Sequence, residues 1–265
     1  MCLIVFAWQR HPRHSLILAA NRDEFHGRPA DAASFWTDHP SVLAGRDLEA
    51  GGTWLGISPT GRFAAITNLR DPAAGQRRAP RSRGELTADF LASRQSPEAY
   101  LADIASRCNA YLGFNLLVGD GDTLCYLHGD GRSAGAPQRL EPGLYGLSNA
   151  ALDVPWPKVT LARDRLAGLL AEAGDGAVDH GDLRRCVADR SLASAEDLAL
   201  HGLEGTMDQR LSAQFIVTPQ YGTRCTTTLT QGTESWEFQE QRYCADGTRV
   251  GEAVFRDAAQ TPPQE

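Results

Sequence analysis

Cys2-Leu3-Ile4-Val5-Phe6-Ala7-Trp8, a polar stretch from Gln9 to His14, then Ser15-Leu16-Ile17-Leu18-Ala19-Ala20 running directly into Asn21-Arg22-Asp23-Glu24: this opening decides how the chain is read. Two short apolar runs on either side of a polar segment form a β-hairpin with a polar turn. A secretory signal would place basic residues before its apolar run, whereas here Arg10, His11, Arg13 and His14 follow it. The run is also far shorter than the roughly 18 apolar residues that cross a bilayer. Hairpin geometry returns the end of the second strand to the start of the first. The Asn21–Glu24 segment therefore lies beside Cys2.

Working outward, Phe25 to Asp47 is irregular, with Pro29, Pro40 and several aromatic residues, and reads as an ordered loop. Thr53–Ser58 and Arg62–Asn68 form a second hairpin across Ser58-Pro59-Thr60-Gly61, a proline–glycine turn. Arg70 to Arg83 is a loop carrying Arg70, Arg77, Arg78, Arg81 and Arg83. Helices are expected over Gly84–Ser93, Pro97–Cys108, Trp156–Ala173 and His180–Asp189, the third having Val159, Leu161, Leu166, Leu169 and Leu170 spaced for one buried side. Further strands are expected over Gly113–Val118, Thr123–His128, Gly143–Ser148, Ala213–Thr218, Thr223–Thr230 and Ser235–Gln241. Strands that arrive as hairpins favour antiparallel sheets, and two such sheets with helices on their outer faces would bury these elements. No linker divides the chain, so residues 1–256 read as one domain and Asp257–Glu265, with Pro262-Pro263, as a frayed tail.

Composition narrows the function. Of 265 residues 42% are hydrophobic and 22% charged, ordinary globular values that support a sizeable core. A net charge of −7 argues against a general nucleic-acid binder and against electrostatic attachment to an anionic membrane. The six cysteines (Cys2, Cys108, Cys125, Cys186, Cys225 and Cys244) are scattered, as expected of free thiols in a reducing compartment, so a cytoplasmic location is expected. Lys158 is the single lysine, and it sits in Pro155-Trp156-Pro157-Lys158 with no glycine-rich loop before it. That removes nucleotide-loop and Schiff-base readings.

Cys2 is the first candidate for chemistry. Removal of Met1, which a small second residue permits, would leave a cysteine with a free α-amine. Such an amine has a pKa of about 7.7–8, so part of it is unprotonated at neutral pH and can take the thiol proton itself. A carboxylate from Asn21-Arg22-Asp23-Glu24 would orient that amine, and an arginine would favour thiolate. The alternative is an exposed turn with a surface ion pair, worth little. Asn68 and Asn149 end two strands, where amides suit a developing oxyanion, although turn-capping asparagine has the same pattern. The arginine-rich loop suits an anionic ligand or is simply solvated. The seven histidines show no zinc spacing, and Asp120-Gly121-Asp122 lacks the later acid of a calcium loop because Gly131 stands there.

Several linked motifs resemble one family. Asn21-Arg22-Asp23-Glu24, Gly51-Gly52-Thr53-Trp54-Leu55-Gly56, Thr67-Asn68-Leu69-Arg70-Asp71, Ser82-Arg83-Gly84, Gly146-Leu147-Ser148-Asn149 and Tyr221-Gly222-Thr223-Arg224 are similar, in order, to the family named for its Asn-Arg-Asp-Glu motif, the transport-and-Golgi-organisation 2 group. The resemblance runs from Met1 to about Leu229. More distantly the chain resembles the choloylglycine hydrolase and penicillin V acylase group of N-terminal-nucleophile hydrolases. That resemblance implies an α+β, four-layer αββα sandwich with two antiparallel sheets. It implies Cys2 as nucleophile, Asp23 as the residue orienting the amine, Asn68 as an oxyanion asparagine and Asn149 as the later active-site asparagine. The arginine of those hydrolases precedes the aspartate by three positions, which here is Ala20, so Arg22 or Arg224 takes its place.

The resemblance implies two functions. One is an amidohydrolase that cleaves a linear carbon–nitrogen amide through an acyl-Cys2 intermediate, with no cofactor required. The other is a non-catalytic trafficking protein for haem or an acyl-lipid, with His26 or Cys2 as candidate iron ligand and the loop arginines as anchors. In both the expected partner is a small-molecule ligand or substrate, anionic where the loop arginines bind it, rather than nucleic acid or a membrane interior.

Overall fold

The computed structural model describes residues 2–71, 79–233 and 235–257. Within them the first hairpin pairs β1 (Cys2–Trp8) with β2 (Leu16–Phe25), Cys2 facing Arg22 and Trp8 facing Leu16. β2 does not stop at Ala20; it carries Asn21-Arg22-Asp23-Glu24 inside its last turn of pleat. The expected loop at 25–47 is also corrected. It holds β3 (Ala30–Phe35) and β4 (Leu43–Asp47), paired with a register shift between Asp31 and Ser34. That irregularity and the exposure of an edge strand erase the period-2 alternation by which a strand is read.

β5 (Leu55–Ile57) and β6 (Phe63–Asn68) form the proline–glycine hairpin. α1 (Gly84–Ala92) and α2 (Pro97–Ser106) follow, the latter capped by Ser96 Oγ accepting from Ala99 N, with Pro97 at its first position. Then come β7 (Phe114–Gly119), β8 (Leu124–Gly129), β9 (Gln138–Arg139), β10 (Gly143–Leu147), α3 (Pro157–Ala173), α4 (His180–Cys186), α5 (Ala195–Ala199) and α6 (Thr206–Arg210). The chain returns as β11 (Tyr221–Gln231), β12 (Trp236–Tyr243) and β13 (Arg249–Arg256). Residues 213–218 were expected as a strand but form no ladder beyond the isolated bridge of Val217 to Gly222. Phe215 N bonds Asp189 O, while Ile216 N donates to Thr223 Oγ1 and Ile216 O accepts from Thr223 N, so the segment folds back antiparallel on the start of β11. Arg77 and Arg78, and the tail from 258 onward, lie outside the described residues.

The described strands make two antiparallel sheets, ordered β10-β1-β2-β11-β12-β13 and β3-β4-β5-β6-β7-β8-β9. Alternation splits β1 between two cores. Cys2, Ile4, Phe6 and Trp8 face the second sheet with Leu16, Leu18, Phe114 and Phe238. Leu3, Val5 and Ala7 face α3 through Val159, Ala162 and Leu166. α3 and α4 cover the first sheet, and α1 and α2 cover the second, which completes helix–sheet–sheet–helix layering. One glycine sets the α3 contact, since a Cβ on Gly146 would lie 2.5 Å from Val159 Cγ1. No described helix is long and apolar enough to cross a membrane.

Candidate active site

One end of the first sheet, where β1 and β11 begin and β2 and β12 end, opens onto a cleft of about 270 Å³, lined among others by Cys2, Arg22, Asp23, Asn68, Arg83 and Arg224. Register builds its floor. Cys2 faces Arg22, Arg22 faces Cys225, and Cys225 faces Arg242, so thiols and guanidiniums alternate across four adjacent strands on the face toward the second sheet. Cys2 is buried, only 9% exposed.

Asn149, just after β10, holds the start of β1. Its Oδ1 accepts from Cys2 N at 3.2 Å and from Ser148 Oγ at 3.1 Å, while its Nδ2 donates to Asn68 O at 2.7 Å. Ser148 Oγ also donates to Cys2 O at 2.8 Å. Asn149 thus grips the backbone of the nucleophile candidate, and its amide group is already engaged. Asn68 differs: it is exposed at the end of β6 and lines the cleft.

Asp23 follows Arg22 and therefore points to the opposite, helix-covered face. It is 2% exposed, and its Oδ1 accepts from Thr223 Oγ1 at 2.7 Å. Thr223 precedes a register shift in β11 that leaves Arg224 as the extra residue. A bulge re-aims a side chain beside a site. Arg224 Nη1 is turned to the carbonyls of Phe25, His26 and Arg28 at 2.8, 3.2 and 3.1 Å, so it ties the strand end rather than the thiol. Of the two candidate arginines, Arg22 is the one whose charge bears on Cys2. Its Nη2 lies 3.7 Å from Asp47 Oδ2. Ala20 is fully buried opposite Ile4, so that position has no access to the cleft.

Burial pushes the Cys2 thiol above its ordinary value. The positive chain terminus, the Asp23 backbone N–H and Arg22 pull it down, and the Asp23 carboxylate pushes it further up. Burial likewise raises Asp23, opposed by the chain terminus, Lys158 and the Thr223 hydroxyl. Burial lowers Lys158, with Asp23 and Cys2 acting the other way.

Two neighbours were not singled out as site residues from sequence. Arg83 was read only as one arginine of a loop that suits an anionic ligand or is simply solvated. It is held at the cleft because Gly52 and Gly84 cross in contact, where a Cβ on Gly52 would meet Gly84 C at 2.3 Å. Thr53 N donates to Gly84 O at 3.0 Å, and Arg83 Nη1 to Gly113 O at 3.0 Å. The signal was the pairing of two glycine motifs, Gly51-Gly52 and Ser82-Arg83-Gly84. Lys158 had only its solitude to mark it.

Haem fits this lining poorly. His26 Nε2 lies 3.0 Å from Thr218 O and is not among the residues lining the cleft, which leaves Cys2 alone of the two candidate iron ligands there.

A family profile described as Transport and Golgi organisation 2 matches residues 1–244. The Transport and Golgi organization protein 2 homolog of Bos taurus is 45% identical over 175 residues, a stretch covering 62% of this chain and 62% of that protein's own length. The Drosophila melanogaster protein of the same name is 27% identical over 198 residues, 68% of each chain. Among solved structures, an N-acylethanolamine-hydrolyzing acid amidase ortholog of Caenorhabditis elegans superposes with a TM-score of 0.46 at 10% identity, over 71% of this chain and 86% of that one.

Proposed function

We propose, for a chain that belongs to the Transport and Golgi organisation 2 family, that it is an N-terminal-cysteine amidohydrolase acting on a linear amide of a small, anionic acyl substrate. One observation carries this reading. Cys2 sits on the floor of an arginine-lined cleft, with its backbone nitrogen held by Asn149 and the buried Asp23 at the same strand end.

Once Met1 is removed, the α-amine takes the Cys2 thiol proton and the thiolate attacks the amide carbonyl, forming an S–C bond. Asn68 donates to the resulting oxyanion. The ammonium returns its proton to the leaving nitrogen, the C–N bond breaks, and the amine departs, leaving an acyl-Cys2 thioester. Water, deprotonated by the same amine, cleaves the thioester to a carboxylate and restores the thiol. Arg22 supports thiolate, Asp23 orients the amine, and Arg224 fixes the strand end that carries both.

Intact-mass measurement on native protein treated with limiting iodoacetamide, beside Cys2→Ala, tests this. The expected result is a chain lacking Met1 that gains one adduct, lost in Cys2→Ala. It also forms a hydroxylamine-labile acyl adduct with N-acyl amides. Retention of Met1, or alkylation of Cys2 no faster than Cys108 or Cys186, overturns it.

The arginine lining favours a second reading, a carrier that holds an acyl-lipid in the cleft without turning it over. Stoichiometric retention of ligand, unchanged in Cys2→Ala and without product, selects that reading. A Soret shift on haem titration, lost in Cys2→Ala, would select its haem form.

A further inference from the structure

We propose that Arg83 is the seat of the substrate's negative charge: the free edge of its guanidinium takes a carboxylate carried on the acyl part, which makes half-amides of short dicarboxylic acids the substrate class. This rests on the reading of the cleft given above.

Most of the guanidiniums that line the cleft already have partners. Arg28 Nε lies 2.7 Å from Asp47 Oδ2, and Arg46 holds Asp38 through two bonds of 2.7 Å. Arg22 Nη2 is 3.7 Å from the same Asp47 oxygen, and Arg224 is engaged by three backbone carbonyls. Among the described residues, Arg83 and Arg242 line the cleft without pairing to an acid. Arg242 is exposed and ends the row that begins at Cys2, three strand spacings or about 14 Å away.

Arg83 is tied to the reacting end instead. Its Nη1 donates to Gly113 O, and Leu69 N donates to that same oxygen at 3.1 Å. Leu69 N belongs to the peptide unit whose carbonyl, Asn68 O, accepts from Asn149 Nδ2, and Asn149 Oδ1 accepts from Cys2 N. Consecutive hydrogen bonds therefore run from the guanidinium to the backbone of the nucleophile. Asn68 lies along that path and lines the cleft. The backbone of Arg83 is fixed in turn where Gly52 and Gly84 cross. The half-buried head is thus ordered before any ligand arrives.

The Nε and Nη2 of Arg83 bond no described residue, and neither is sealed from solvent. Together they form the parallel fork that matches the two oxygens of a carboxylate. Glu24 and Arg28 bear on this guanidinium with opposite sign, and neither is bonded to it. A carboxylate seated here leaves its chain to pass Asn68 and reach Cys2, so a short methylene spacer separates the charge from the scissile carbonyl.

The test is calorimetric titration of the Cys2→Ala chain, in which thiol chemistry is absent, with succinamate and with its neutral diamide succinamide. The acid is expected to bind at least about tenfold tighter, and Arg83→Gln in that background to bring the two together. Arg83→Lys, which keeps a charge without the fork, is expected to retain a preference of about threefold. A preference kept in Arg83→Gln, or lost equally in Arg242→Gln, overturns the seat. Should Arg83→Gln fold poorly, Arg83→Lys decides, since an undiminished preference there also overturns it. Tighter binding of N-acetylglycine, whose carboxylate lies on the amine side, or of inorganic phosphate overturns the substrate class. A carboxylate preference beside a Cys2 that alkylates no faster than Cys108 in wild type supports the seat and removes only the hydrolase; a reactive Cys2 without that preference removes the seat alone.

Discussion

At its open end the β1–β2 hairpin surrounds its buried polar groups with partners, whereas at its turn it leaves two imidazole nitrogens without any. Around Cys2 the backbone nitrogen, the Asn21 amide and Asp23 Oδ1 are held by Asn149, Val187, Gln214 and Thr223. Around the turn, His11 stacks on His14 with ring centroids 5.0 Å apart. His11 Nε2 and His14 Nδ1 are buried with no hydrogen bond to any described residue. The same two strands carry both ends, so strand pairing does not account for the difference. The open end receives four returning segments, after β10, after α4, before β11 and within β11, and each brings a donor or acceptor. The turn end receives chiefly α4, through His180, whose own ring is committed to Thr228 Oγ1 at 2.7 Å. Full satisfaction fixes geometry, and partial satisfaction leaves sensitivity to protons.

The largest effect breaks both ends together. Phe6 is fully buried at the hairpin centre and stacks on Tyr145 with centroids 5.2 Å apart. Phe6→Ala is expected to cost about 3–5 kcal/mol in urea unfolding. It should also speed alkylation of the otherwise buried Cys108 and Cys125. Thr223→Val comes next and acts at the open end alone. It strands Ile216 N and removes a donor from Asp23, for about 1–3 kcal/mol of stability, and it slows Cys2 alkylation. Ser148→Ala removes the hydroxyl shared by Cys2 O and Asn149 Oδ1. It should cost about 1 kcal/mol by thermal melts, with Cys2 still reactive because the Asn149 contact to Cys2 N survives.

His14→Gln is the smallest and appears only as a pH dependence. Burial, then His11, Arg13 and His180, lower the His14 pKa. Below its ordinary value near 6.5, the unfolded chain gains a proton that the folded chain does not. Stability therefore falls as pH drops from about 6.5 to the depressed value and then levels. Melting of wild type between pH 7 and 5 should fall more steeply than that of His14→Gln. Parallel curves would show that the turn end is not the sensitive one.

The sequence reading placed Asn21–Glu24 beside Cys2 because adjacency in a hairpin follows from two apolar runs and a turn, with no tertiary knowledge needed. It did not separate the faces on which Arg22 and Asp23 lie, because β2 was ended at Ala20. Carried on to Phe25, the same alternation sends one residue to the cleft and the next to the helices. β3 and β4 were missed because an edge strand with a register shift has no clean period, and β13 because its alternating residues are largely exposed. Ala213–Thr218 was misread for the reverse reason. Ala213, Phe215 and Ile216 are buried although the segment meets β11 through a single antiparallel bridge rather than a ladder. Thr223, Arg83 and Lys158 owe their positions to contacts from 30 to 200 positions apart in the chain, which local pattern does not encode.

The alternating row Cys2, Arg22, Cys225 and Arg242 has a mechanical corollary. A ligand lying across the strands meets one side chain every 4.8 Å or so, each supplied by a different stretch of chain. Sliding β1 by a single residue against β2 would swap sulfur for the isobutyl group of Leu3 and send the thiol to the helix layer. The protein therefore guards this pattern through pairing register, and the surplus residue in β11 is absorbed at Arg224, just outside the row.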